Sequence, residues 1–328
     1  MSYSLNTYPW HNSTWDKFVT ARAQNHLPHA LLIAGSDGTG KLDFAKRIAT
    51  ALLCTSPVNN EACQKCKSCK TYQADANPDF MSIELLKDKQ QIAVDQIRKL
   101  SDFISYTRSY NAYRVILLNP VERMNNNASN SLLKSLEEPA SNTIIILVAS
   151  NLSKILPTIK SRCQILTLPN PTKTQALSWM QQQQHSNTTN PEELLEMANG
   201  QPLTALTLSE DDVKSRVELA QDLLAICTYQ QPVTDIAKKW EKYDQSAILN
   251  WQIVWSEKSI KNSILQKNKE KKKSEIATIL EKLDKHIATQ QHWQLYQQLI
   301  TQKQYIHTSV NSLMFLENML LLWLQASQ

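Results

Sequence analysis

Glycine is nearly absent from this sequence: four residues in 328. Three of the four, Gly35, Gly38 and Gly40, fall in one stretch, "GSDGTGKL". A chain that avoids glycine elsewhere has a backbone reason to gather it there, because positive φ angles and close main-chain approach aim N–H groups at an anion. Long apolar runs are also missing, so no segment reads as a membrane span. The N-terminus "MSYSLNTYPWHNSTW" lacks the basic-then-apolar pattern of a leader, which makes the expected compartment cytoplasmic. Charge of one sign is missing too. A formal +5 is too mild to prove nucleic-acid binding, and the densest basic run, Lys267–Lys273, reads as a solvated helix face or loop. At 42% hydrophobic, the chain still has enough apolar residues to bury cores in two or three domains.

The glycine stretch matches the phosphate-binding pattern G-x-x-x-x-G-K-[ST] except at its end. There a hydroxyl should hold Mg²⁺, and Leu42 stands instead. The flanks have the required context. "HALLIAG" (29–35) reads as a buried parallel strand, and "KLDFAKRIATALL" (41–53) has apolar residues at helical spacing. The alternation continues with strands at 80–86, 114–119, 143–150 and 163–168, and with helices at 94–104 and before Pro139. Strands separated by helices predict a parallel sheet covered on both faces. "PNPT" (169–172) then breaks the chain, and nearly everything beyond it reads as helix.

Six cysteines are present, and four of them cluster: Cys54, then Cys63, Cys66 and Cys69 in "CQKCKSC". Two-residue gaps let neighbouring sulfurs converge, and a loop returns the fourth, the pattern of a structural tetrahedral Zn²⁺. The alternatives are loose surface thiols, or a disulfide that a reducing compartment disfavours. Cys163 and Cys227 read as ordinary small or buried residues.

Together, the phosphate loop, the four-cysteine insert, "NPDF", "VDQIR", "NNASNSLLKSLEEP" and "LPTIKSRC" resemble the bacterial clamp-loader branch of the AAA+ ATPases. More narrowly they resemble its delta-prime family; the motifs cover about residues 8–206. The resemblance implies an AAA+ α/β P-loop domain over 1–168 with a zinc insert at about 54–70. A small α-helical lid domain (169–208) and an α-helical collar domain (209–328) follow. It also implies a five-subunit ring with ATPase subunits and a clamp-opening delta subunit, which places a sliding clamp on primer–template DNA.

The same resemblance gives Leu42 company. In hydrolysing relatives the strand at 114–119 ends in an aspartate followed by a glutamate; here Asn119 and Pro120 stand there. Glu122 is nearby but is expected to point elsewhere. The lid arginine that senses the γ-phosphate is matched by Leu203, and Ser150 and Asn151 leave the first sensor position undecided. Phosphoryl transfer depends on such positioned charges, so no hydrolysis of ATP is expected. Lys41 and the loop amides of Gly35, Gly38 and Gly40 leave weak binding of nucleotide or another anion open. Arg162, in "SRC", matches the motif whose arginine reaches a neighbouring subunit's ATP site; an ordinary salt bridge is the alternative. Lys134 and the "LEEP" helix serve either ring packing or DNA-backbone contact. Two other functions compete: an active ATPase of the same branch, and a zinc-dependent nucleic-acid module. Against the second, Lys65, Lys67 and Lys70 have no interleaved aromatic before Tyr72.

Overall fold

The computed structural model describes residues 7–87, 89–183, 190–265, 275–306 and 311–328. The basic run Lys267–Lys273 lies outside the described residues. The chain divides into two compact units, Met1–Thr207 and Leu208–Gln328.

In the first unit, five strands form one sheet: β1 (Ala30–Ala34), β2 (Phe80–Glu84), β3 (Arg114–Asn119), β4 (Thr143–Ala149) and β5 (Gln164–Thr167). Their spatial order is β2-β3-β4-β1-β5, and every pairing is parallel. Every residue of β1 and β4 is buried, which is why both read as unbroken apolar runs and not as alternating strands. Helices cover both faces. On one lie α1 (Asn12–Ala23) and α2 (Lys41–Leu53), whose Trp15, Phe18, Phe44 and Ile48 meet Leu31, Ile33 and Val115. On the other, Ile97 and Leu100 of α4 (Val94–Ser105) join Leu132 and Leu136 of α5 (Asn126–Glu137) over Leu32, Ile116 and Leu147. A short helix, α3 (Lys67–Gln73), follows the cysteine loop, and α6 (Pro157–Lys160) precedes β5.

The order reverses at β1, which pairs with β4 on one side and β5 on the other. In open α/β sheets, ligands sit at the carboxyl ends of strands at such a switch point. The glycine loop leaves β1 there.

The same unit ends in α7 (Lys173–Gln182), α8 (Pro191–Met197) and α9 (Pro202–Thr207). The second unit is helical throughout its described residues: α10 (Glu210–Cys227), α11 (Val233–Trp240), α12 (Gln245–Leu265), α13 (Glu275–Leu283), α14 (Thr289–Gln302) and α15 (Ser312–Ala326). Trp240 and Trp323 are fully buried within it. Both have their indole N–H satisfied, Trp240 by Asp222 and Trp323 by Gln252, as buried indoles require. No helix among the described residues is long and apolar enough to cross a membrane.

Candidate phosphate loop and metal centre

Gly40 caps α2 with φ +81°, and Gly38 turns the loop with φ +69°. No room exists for a side chain at either. A Cβ on Gly38 would lie 2.3 Å from Thr204 Oγ1, and one on Gly40 would lie 2.4 Å from the Tyr8 ring. The loop is thus closed in by α9 on one side and by the N-terminal segment on the other. Trp10 Nε1 and His11 Nε2 both donate to the Thr39 carbonyl, at 2.9 and 2.7 Å. Tyr8 donates to Asp43 at 2.6 Å and stacks on Trp10, with ring centroids 5.0 Å apart. Trp179 of α7 meets both rings edge-on. Sequence reasoning missed this aromatic cluster. "YPWH" is visible in the chain, but nothing in its spacing says that it folds over a loop 30 residues away.

Lys41 is buried, and its ammonium turns inward, donating to the Ser36 carbonyl at 2.7 Å and to Asp37. Leu42 is half-buried against the apolar core. Asn119 and Pro120 are half-buried at the end of β3. Glu122 corrects an expectation. It does not point away: its Oε1 accepts from the Ser150 amide at 2.8 Å, and Ser150 in turn bonds Asp37 of the loop. A 3-10 turn over Val121–Arg123 folds the chain back and reverses the strand-end geometry that the expectation assumed. A cleft of about 550 Å³ opens beside Gly35, Ser36, Ser150, Asn151 and Asn170.

Arg162 is half-exposed just after α6. Its guanidinium pairs with Glu137 at 2.7 Å and donates to the Thr158 carbonyl at 3.0 Å. In the isolated chain, then, the arginine stands in the salt bridge that was the alternative reading.

The four cysteines converge. The Sγ atoms of Cys54, Cys63, Cys66 and Cys69 all lie within 4.8 Å of one another, with Cys54 and Cys66 3.9 Å apart. Four sulfurs about 2.3 Å from a tetrahedral ion lie about 3.8 Å apart, so the set fits Zn²⁺. The backbone is already turned toward the sulfurs: Cys63, Cys66 and Cys69 amides donate to the Sγ of Cys54, Cys63 and Cys66 at 3.2, 3.3 and 3.4 Å. Burial opposes ionisation of Cys66, yet hydrogen bonds from Thr55 and the Cys69 amide outweigh it and lower its thiol to about 6. Burial raises Cys163 and Cys227 to about 11 and leaves them inert. The cysteine loop is latched to α2 by Arg47, which forks onto the Glu61 carboxylate and stacks 3.8 Å over Trp15.

A family model described as DNA polymerase III, delta subunit, matches residues 10–172. DNA polymerase III subunit delta' of Pseudomonas aeruginosa is 35% identical over 251 residues, which span 76% of either chain. This chain belongs to the delta' family of DNA polymerase III. The Escherichia coli subunit delta' is 28% identical over 67% of this chain and 66% of its own. Among solved structures, a DNA polymerase III gamma subunit-related protein from Thermotoga maritima overlays 95% of this chain and 99% of its own at 18% identity, with a TM-score of 0.45. Membership makes this a subunit of the DNA polymerase III clamp loader, with an AAA+-like sheet and a cysteine cluster able to hold a metal ion.

Proposed function

We propose that this chain is the non-hydrolysing, stator-like subunit of its clamp loader. The observation that carries this reading is the phosphate loop satisfied by its own protein. The Lys41 ammonium, which would meet a β- or γ-phosphate, is spent on the Ser36 carbonyl and Asp37. Where Mg²⁺ would need a hydroxyl, Leu42 packs into the core. Asn119 and Pro120 supply neither a metal-binding acid nor a base, and Leu203 supplies no guanidinium. Positioned charge is nearly the whole of phosphoryl-transfer catalysis. Glu122 remains near the loop, but one of its oxygens is held by the Ser150 amide, and it has no acidic neighbour on β3 with which to share a cation. The loop amides retain weak affinity for nucleotide or another anion.

Arg162 is the residue this subunit contributes, a finger in trans to a neighbouring ATP site. A half-exposed guanidinium tethered to one exposed carboxylate can be redirected cheaply, because such a pair is worth about 0–1 kcal/mol. α7–α9 act as the lid and α10–α15 as the collar. The partners are the ATPase subunits and the clamp-opening delta subunit; sliding clamp and primer–template DNA are reached through the ring. One structural Zn²⁺ is held by Cys54, Cys63, Cys66 and Cys69.

The deciding measurement is ATP turnover by the isolated chain, with and without Mg²⁺, beside a Lys41→Ala variant. Both proteins should stay at background. A Mg²⁺-dependent rate that disappears with Lys41→Ala would refute the stator reading.

A further inference from the structure

The sequence offers Lys65, Lys67 and Lys70 around the zinc helix but no aromatic partner for them. The fold brings one. The loop between α4 and β3, "SYTRSYNAYR" over 105–114, carries three of the chain's ten tyrosines and no acid. It lies against α3: Tyr110 OH is 2.9 Å from Thr71 Oγ1, and the Lys67 ammonium sits 4.9 Å from the Tyr110 ring centroid.

The loop is held in one shape by two buried charges. Asp79, fully buried, accepts from the amides of Ser109, Tyr110 and Asn111 and from Asn111 Nδ2. Arg114, also buried, donates to the carbonyls of Ile104 and Tyr106 at 2.6 Å each. Asn77 then ties the base of the loop to Ser68 of α3 at 2.9 Å. Two charges spent on backbone atoms leave the tyrosines on a rigid support. Tyr106 is 69% exposed, which leaves its ring face open to a ligand.

Lys65, Lys67, Lys70 and Arg108 are all exposed on these two segments. The acids of residues 62–75 and 100–114 are Asp75 and Asp102, so the four exposed cations outnumber them two to one. A cation-bearing helix tied through Tyr110 to a loop that also displays a second ring suits a strand that offers phosphates and unpaired bases together. A duplex buries its base faces, and an acidic peptide offers nothing for the ring to stack on.

We propose that this face, formed by α3 and the loop before β3, binds single-stranded DNA directly. Phosphates lie along Lys65, Lys67, Lys70 and Arg108, and a base stacks on Tyr106. The surface is distinct from the phosphate loop and stands or falls independently of the stator assignment.

The test is fluorescence anisotropy of the full chain with labelled oligo-dT of about 20 nucleotides, longer than the roughly 4–16 nucleotides that one single-strand-binding fold covers. Four phosphate contacts predict a slope of log affinity against log salt near −3, at about −0.7 per contact. Tyr106→Ala should weaken binding about tenfold, the loss of one base stack. Lys65→Glu with Lys70→Glu should weaken it further and flatten the slope. Lys214→Glu, in the second unit, should change nothing. All variants should keep wild-type melting temperature and metal content, since Tyr106 gives only its carbonyl to the fold. Duplex of the same length should bind more weakly. The proposal is overturned by no binding at low salt, by Tyr106→Ala and the lysine pair leaving affinity unchanged, by duplex binding equally well, or by an acidic peptide binding where oligo-dT does not.

Discussion

His11 is fully buried, and its Nε2–H is committed to the Thr39 carbonyl while Nδ1 has no partner. Burial, helped by the nearby Arg47 charge, lowers its pKa to about 4 against the opposing Thr39 hydrogen bond. Unfolded, it titrates near 6.5. Between those values the unfolded chain takes up a proton that the folded chain refuses, so stability falls as pH drops through this window. The contribution is full above about 6.5 and diminishes toward 4, amounting to about 3 kcal/mol. His11→Gln keeps a donor for Thr39 and cannot titrate. Its melting temperature should therefore fall less than wild type's between about pH 7 and pH 5; parallel curves would show that His11 is not the group responsible. Asp79 is a second residue whose worth lies in what it satisfies. Asp79→Asn keeps the shape but sets an NH₂ among backbone donors, and losing charge-assisted bonds of roughly 1.5–3 kcal/mol each should lower stability by at least about 2 kcal/mol in denaturant titration. A change below about 0.5 kcal/mol would mean the loop finds other acceptors.

At the scale of elements, the cysteine loop and α3 form a unit too small to hold itself by apolar burial. Its own core is little more than Cys54, Ala62 and Cys69. Beyond the anchor of Tyr72 in the main core, a metal on the proposed ligand set would supply the rest, and its affinity would then be folding energy. Protein purified without chelator should carry close to one Zn²⁺ per chain by elemental analysis. Cys66→Ser with Cys69→Ser should abolish it and lower the melting temperature. Because Arg47 of α2 forks onto Glu61 of the loop, the loss should also loosen amide protection in α2. Retained zinc in the double variant would refute the ligand set.

At the scale of the whole molecule, the finger role proposed for Arg162 would bring one chain into the chemistry of another. Arg162→Ala should leave the fold intact, since it removes only a half-exposed pair with Glu137. The ring should still assemble through the collar. DNA-stimulated ATP turnover of the reconstituted loader should fall only partly, because one site among several loses a finger worth roughly 10³-fold or more. Clamp loading should fall further, and Arg162→Lys should rescue it poorly, since an ammonium lacks the bidentate fork. Normal turnover and loading by the alanine variant would show that Arg162 is a surface salt bridge and nothing more.

Much of this was legible in the chain because it depends on neighbours in sequence. The three inner strands, β1, β3 and β4, show as apolar runs, since burial on both faces leaves no alternation. The glycine loop and the cysteine knuckles show because turn geometry and metal ligation operate over a few residues. What tertiary structure alone decided are the pairings between distant segments. Tyr8 and Trp10 fold over a loop formed by Gly35–Gly40, and Thr204 closes its other side. Glu122 turns toward Ser150 where strand geometry suggested otherwise. Arg162 meets Glu137, and Tyr110 meets Lys67 across some 40 residues. Sequence spacing encodes periodicity along one element; which side chain fills the space beside another element is settled only when the sheet order brings the two together.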